Sequence, residues 1–269
     1  MMIHSIALAH QVLNEPSYLE KAEKAVEFII ENLWDGKNLQ HVYAKGEAKI
    51  DGFLEDYAHL VQALISVYES NFNIKYLQLA QDLTQRMIEL FWDSSSKTFY
   101  FSSAKQNDLV IRPTENYDGA TPSSTAIAIT SLIRLGKLTY NDLYLKIAEQ
   151  ALQTQEPQMR TLPQASAQLL IALEFLQNRS QEFVLIPGED QQVEEWLQTL
   201  RDHFIPNKVI AVKNRSNEKN ILFENKTTIS NKTTLYLCEN RSCQAPQNDL
   251  EAFKKVLKIE TFQQKIQPL

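Results

Sequence analysis

Along this 269-residue chain the apolar residues recur mostly at three- and four-residue spacings, the pattern of helices that each bury one face. The spacing predicts a first helix over residues 3–13 and a second from Ser17 to Leu33, with Ala22, Val26, Ile29, Ile30 and Leu33 on one stripe and Ser17 with Glu20 as a capping box. A third helix, over about 53–69, presents Tyr57, Val61, Leu64, Ile65 and Tyr68, and a fourth, over about 73–91, presents Tyr76, Ala80, Leu83, Met87 and Leu90. After the turn ATPSS, the run AIAITSLIRL is apolar nearly all the way round, so the fifth helix is expected inside, covered on both sides. A sixth helix is read over about 140–153 and a seventh over about 163–177, where PQASAQLLIALEFL again reads as buried.

A repeat links these pieces. In LWDGKNLQHVYAKGEAKIDGFLEDYA and again in FWDSSSKTFYFSSAKQNDLVIRPTENYDGATPSSTA, Trp-Asp ends a helix, an alternating stretch predicts a short β-hairpin, and Asp-Gly precedes the next helix. Trp34 and Trp92 are 58 residues apart, and the degenerate loop EPQMRTLPQ falls near the same interval. One helical hairpin cannot cover its own apolar face, so such units stack into a solenoid or a closed ring and gather their long loops on one rim.

Beyond Asn178 the pattern changes. EFVLIP and KVIAVK read as strands flanking an acid-opened helix, EDQQVEEWLQTLRDHF, and TTLYLC reads as a third strand. The first two strands should be parallel, with a right-handed crossover. The fold class is therefore mainly α: residues 1–178 form a partial (α/α) toroid of stacked helical hairpins, and residues 179–269 a small C-terminal α/β subdomain.

Composition narrows the function. Six glycines leave little room for phosphate-binding loops, and no nucleotide-loop or nucleophile-elbow motif occurs. The formal charge of −6 is uneven, with 16 basic and 27 acidic residues up to position 204 and 11 basic against 6 acidic beyond, yet neither region has the dense basic patch of a nucleic-acid binder. No stretch has the length and apolarity of a membrane span, and the first residues lack the charged start and cleavage site of a signal peptide, so a cytoplasmic protein is expected. Cys238 and Cys243, with four residues between them, match neither zinc-knuckle nor thioredoxin-type spacing and read as a buried or incidental thiol pair, with a redox role as the lesser alternative. No metal site and no cofactor is implied.

The segments HVYAKGEAKIDGFLEDYAHL, DLVIRPTENYDGATPSSTAIA, IPNKVIAV and LYLCENRSCQAP, spread over nearly the whole chain, resemble the spermatogenesis-associated thioredoxin-like protein family. The resemblance implies three parts in series: a thioredoxin-like domain, a toroid related to N-acylglucosamine 2-epimerases and six-hairpin glycosidases, and a small α/β region. Against that pattern, the thioredoxin-like part and the first hairpins have no counterpart here. The expectation is a C-terminal fragment, non-catalytic alone or one component of a split protein, whose open ring needs an upstream polypeptide or self-association to cover its apolar faces. The alternative is a carbohydrate-active enzyme, an epimerase, isomerase or glycosidase of small saccharides.

Two rim loops carry the candidate chemistry. On the first stand His41, Tyr43, Asp51, Glu55, Asp56 and Tyr57; on the second stand Arg112, Glu115, Tyr117 and Asp118. Carboxylates in a first helical turn also serve the helix dipole, so Glu55 and Asp56 have a plain structural reading too. Read as a site, Asp56, Asp118 and Glu115 are the catalytic carboxylates, and His41, Tyr57, Arg112 and Tyr117 bind the saccharide. Paired carboxylates beside aromatic rings suit a sugar, because rings stack on its C–H faces while carboxylates hold hydroxyls or move protons.

Overall fold

Seven helices, α1 (Met2–Leu13), α2 (Pro16–Leu33), α3 (Leu54–Asn71), α4 (Ile74–Phe91), α5 (Ser124–Thr139), α6 (Asp142–Thr161) and α7 (Ala167–Gln177), make up the first part of the computed structural model, which describes residues 1–106, 110–178, 180–255 and 257. The chain forms two units, Met1–Asn178 and Arg179–Leu269. It is mainly helical, with a small sheet in the second unit.

In the helical unit the odd-numbered helices stand side by side, α1 against α3, α3 against α5 and α5 against α7, while α2, α4 and α6 pack behind them as the second members of hairpins. Burial follows this division. Helices α3 and α5 are buried on nearly every side, whereas α2 buries Ala22 and Val26 on one stripe. The inner row is keyed by polar side chains. His4 of α1 and Arg134 of α5 both reach the Ser66 hydroxyl of α3, Arg134 also pairs with Glu69, and Gln168 of α7 donates to Thr130 of α5 at 3.0 Å.

Caps explain most helix ends. Asn73, Ser123 and Asn141 each accept a backbone N–H of the following first turn. The expected capping box at Ser17 is not used: α2 begins at Pro16, whose missing N–H and fixed φ suit a first turn, and Glu15 caps it. Helix α6 runs eight residues past its expected end, through Pro157. Its last turn is held by the buried Gln155 and Met159 and by Gln158, which donates to the Asn116 carbonyl at 2.7 Å, and this offsets the proline's lost hydrogen bond. The third repeat therefore ends in a 3-10 turn, Pro163–Ala165, with no hairpin. Helix α7, expected to be buried, hides only Leu169, Ala172 and Phe175, because within this unit it has neighbours on one side alone.

The first two repeats do carry hairpins: β1 (Gln40–Ala44) pairs with β2 (Glu47–Asp51), and the short β3 (Trp92–Asp93) pairs with β4 (Thr98–Phe99). In the second unit β5 (Gln181–Ile186), α8 (Val193–Arg201), β6 (Lys208–Val212), β7 (Thr234–Glu239) and β8 (Ser242–Cys243) form a sheet of order β6-β5-β7-β8. Strands β5 and β6 are parallel and the other pairs antiparallel. Phe183, Leu185, Trp196, Leu200, Ile210 and Leu235 fill its core. Among the described residues no helix is long and apolar enough to cross a membrane.

Candidate functional site

The long connections meet at the N-terminal ends of α3, α5 and α7. The Leu54 N–H donates to the Phe101 carbonyl at 3.0 Å and the rings of Phe53 and Phe101 stack at 5.0 Å, joining the first rim loop to the second. The Asp118 N–H donates to the Ala165 carbonyl at 2.9 Å, joining the second to the third.

A cavity of about 410 Å³ opens at this end. Ile3, Ile29, Leu33, Leu39, Leu60 and Ala63 give it an apolar wall, and Gln40, His41, Glu55, Asp56 and His59 supply its polar groups. Strand β1 carries His41 to the first turn of α3, where Asp56 sits at the third position. Asp56 accepts the Phe53 N–H at 2.8 Å, closing the helix start, and accepts the His41 Nδ1–H at 2.9 Å. That bond assigns the tautomer and leaves His41 Nε2 as the basic nitrogen. The His41 side chain is 33% exposed, so it is open to a ligand.

Glu55 is held above the ordinary carboxylate range, first by burial, then by the negative charges of Asp56 and Glu115. Its carboxyl accepts no hydrogen bond from a described residue. His59, one helical turn further along α3, is held down to about 4 by burial and then by the chain's amino group, so it is neutral at pH 7. The combination is one carboxyl inclined to keep its proton beside an imidazole that stays neutral, on an apolar floor. His41, Glu55 and Asp56 also offer ligand atoms within 4.8 Å of one another, a set suited to a borderline divalent cation at the expense of the His41–Asp56 bond.

The other expected site residues divide. Glu115 accepts the Ser124 N–H at 3.3 Å and its charge is felt at Glu55, so it lies at the edge of this cluster. Asp118 is occupied elsewhere: one oxygen accepts the Ser123 N–H at 2.9 Å and the other the Gln168 N–H at 2.7 Å, tying the start of α5 to the start of α7. Tyr57 is buried in the scaffold, where its hydroxyl accepts the Leu39 N–H at 2.7 Å and its ring packs on Phe91. Arg112 donates to the carbonyls of Ser102 and Leu90 and lies over the Tyr100 ring, pinning the second loop to the end of α4. Tyr117 is 59% exposed, away from the cavity lining. Trp34 and Trp92 do not line it either, and Trp92 packs on Phe99. His59 is not among the residues the sequence singles out; its four-residue spacing from Glu55, which puts both on one helical face, is the signal available for it.

A row of helical hairpins with an acid–imidazole cavity at one end defines the class. No protein-family model matches the chain. Over 96% of its length it is similar to spermatogenesis-associated protein 20 of Rattus norvegicus, at 26% identity, and to the Homo sapiens protein of the same name, at 25%. Over 95% it is similar to an uncharacterized protein of Caenorhabditis elegans, at 27%. The chain spans about a third of the length of these relatives, 35% to 36%. The similarity is therefore a family-level link carried by nearly every element of the chain.

Proposed function

We propose that the helical unit is one arc of an α/α toroid and acts as a component of a larger assembly, with further hairpins supplied by another polypeptide or by a longer chain. The observation that carries this reading is the exposed apolar surface at both ends of the inner row: Met2, Val12 and Leu13 on α1, and Leu170 and Ile171 on α7. Apolar groups at the ends of a stacked array are what a neighbouring repeat covers. Light scattering on the purified chain, with dye binding as a second readout, tests it. Self-association or strong dye binding is expected, and a strict monomer that binds no dye would remove the support.

A second reading, a sugar epimerase or isomerase, is favoured by one specific feature, the raised carboxyl of Glu55 beside the His41–Asp56 pair. Proton exchange at a carbon next to a carbonyl needs an acid and a base, and here Glu55 donates while His41 Nε2 accepts. Hydrolysis fits less well, because both Asp118 oxygens are engaged by backbone N–H groups and no Phe, Tyr or Trp ring lines the cavity among the described residues. Incubating a panel of aldoses and N-acylhexosamines in deuterated water tests the chemistry. Deuterium should enter beside the carbonyl with the parent chain and with Tyr117→Phe but not with Glu55→Gln. Absence of both incorporation and any sugar-induced change in the His41 resonance would exclude a saccharide at this cavity.

A further inference from the structure

We infer that the Cys238–Cys243 bond is a reversible dithiol–disulfide centre, opened and closed by exchange with an external dithiol. The sequence spacing suggested a buried or incidental thiol pair; in the structure the two residues face each other across β7 and β8 and are bonded. Such a bond can be a staple or a chemical group, and three features separate the two.

The first is loop length. The cysteines are five positions apart, so the bond constrains little of the unfolded chain, and bridges that stabilise folds most close long loops. The core of the second unit is made mainly of large apolar side chains, among them Phe183, Leu185, Trp196 and Leu235, with Cys238 a small member. The second feature is access. Cys238 is 0% exposed and sits beside Glu182 of β5 in the sheet, whereas Cys243 lies exposed on a two-residue edge strand. An incoming thiolate therefore meets one sulfur only. The third is the turn that the bond closes. Asn240 and Arg241 have φ of 48° and 69°, a left-handed pair that asparagine tolerates and arginine does not favour. Positive φ at both positions is what a two-residue hairpin turn takes, so the turn holds the two sulfurs in register whether the bond is open or closed, and exposed disulfides are the labile ones.

In the exchange a thiolate of the dithiol attacks Cys243 Sγ. A new S–S bond forms there, the Cys238–Cys243 bond breaks, and its electron pair leaves on Cys238 Sγ, which takes a proton from solvent. The second thiol of the dithiol then loses its proton, attacks its own partner sulfur in the mixed disulfide and releases Cys243 as a thiolate. Two electrons pass from the dithiol to the protein, and the reverse sequence oxidises a dithiol.

The whole chain is equilibrated at pH 7 against graded ratios of reduced to oxidised dithiothreitol, quenched by alkylation and weighed. The expected result is full, reversible interconversion with unchanged far-ultraviolet circular dichroism. In Cys238→Ser, Cys243 should form a mixed disulfide with glutathione. The inference is overturned if excess dithiothreitol leaves the bond intact, if opening it unfolds the sheet, or if both thiols stay unpaired in oxidised dithiothreitol.

Discussion

His4 illustrates how one buried side chain sets a property of the molecule. Burial, followed by the nearby charge of Arg134, holds its pKa down to about 3, while its Nδ1 lies 2.7 Å from the Ser66 hydroxyl. Unfolded, the same imidazole takes up a proton near pH 6.5, so below that point the unfolded chain binds more protons than the folded one. The stability linked to this group is complete above pH 6.5, declines as the pH falls, and is exhausted near pH 3. Urea titrations at pH 7.5 and pH 4.5 should show the midpoint dropping, and His4→Gln should reduce that drop by an amount on the order of 1–2 kcal/mol. An identical drop in parent and variant would place the acid sensitivity elsewhere. Single residues were also where sequence reasoning reached least far. Asp56 and His41 were singled out and lie together in the structure, but nothing in the order of residues told which carboxylates would be engaged by backbone and which left open to a ligand.

Asp118 acts at the scale of elements. With one oxygen on the start of α5 and the other on the start of α7, it joins two helices through charge-assisted hydrogen bonds. Asp118→Ala should lower unfolding stability by about 2–4 kcal/mol in denaturant titrations, and Asp118→Asn, which keeps one acceptor oxygen, by less. Unchanged stability in the alanine variant would return Asp118 to the list of groups reserved for chemistry. Elements with a clean periodic stripe, such as α2 and α4, were legible because one face is apolar and the other charged, and β5, β6 and β7 because their runs are short, β-branched and bounded by turns. Where competing forces were close, the reading failed. Proline marks a helix end when nothing holds the next turn, but around Pro157 the surrounding packing carried α6 to Thr161. Apolar sequence alone cannot say whether a neighbour exists, and so α7 read as buried although Ile171 is 54% exposed. The cysteine pair was measured against metal and redox spacings, while the geometry that joins it is that of a hairpin with a two-residue turn.

The helical unit as a whole is open at the two ends of its inner row. Val12 of α1 and Ile171 of α7 are both exposed, and neither lines the acid–imidazole cavity. Charges placed there should oppose coverage by a neighbouring repeat without disturbing the interior. The double variant Val12→Glu, Ile171→Glu is expected to weaken self-association at least tenfold in sedimentation experiments while keeping its helical circular dichroism signal. If association persists undiminished, the adhesive surface lies elsewhere.

The Ser66 hydroxyl, touched by His4 from one side and Arg134 from the other, has a consequence for how such a row grows. Sliding α5 by a single helical turn, about 5.4 Å, would part Arg134 from Glu69 and break a buried ion pair, and sliding α1 would part His4 from the Ser66 hydroxyl. Vertical slippage between adjacent hairpins is thereby discouraged at the centre of the array. Any additional hairpin docking at either flank would find the height of its landing surface already dictated by one small alcohol three helices wide.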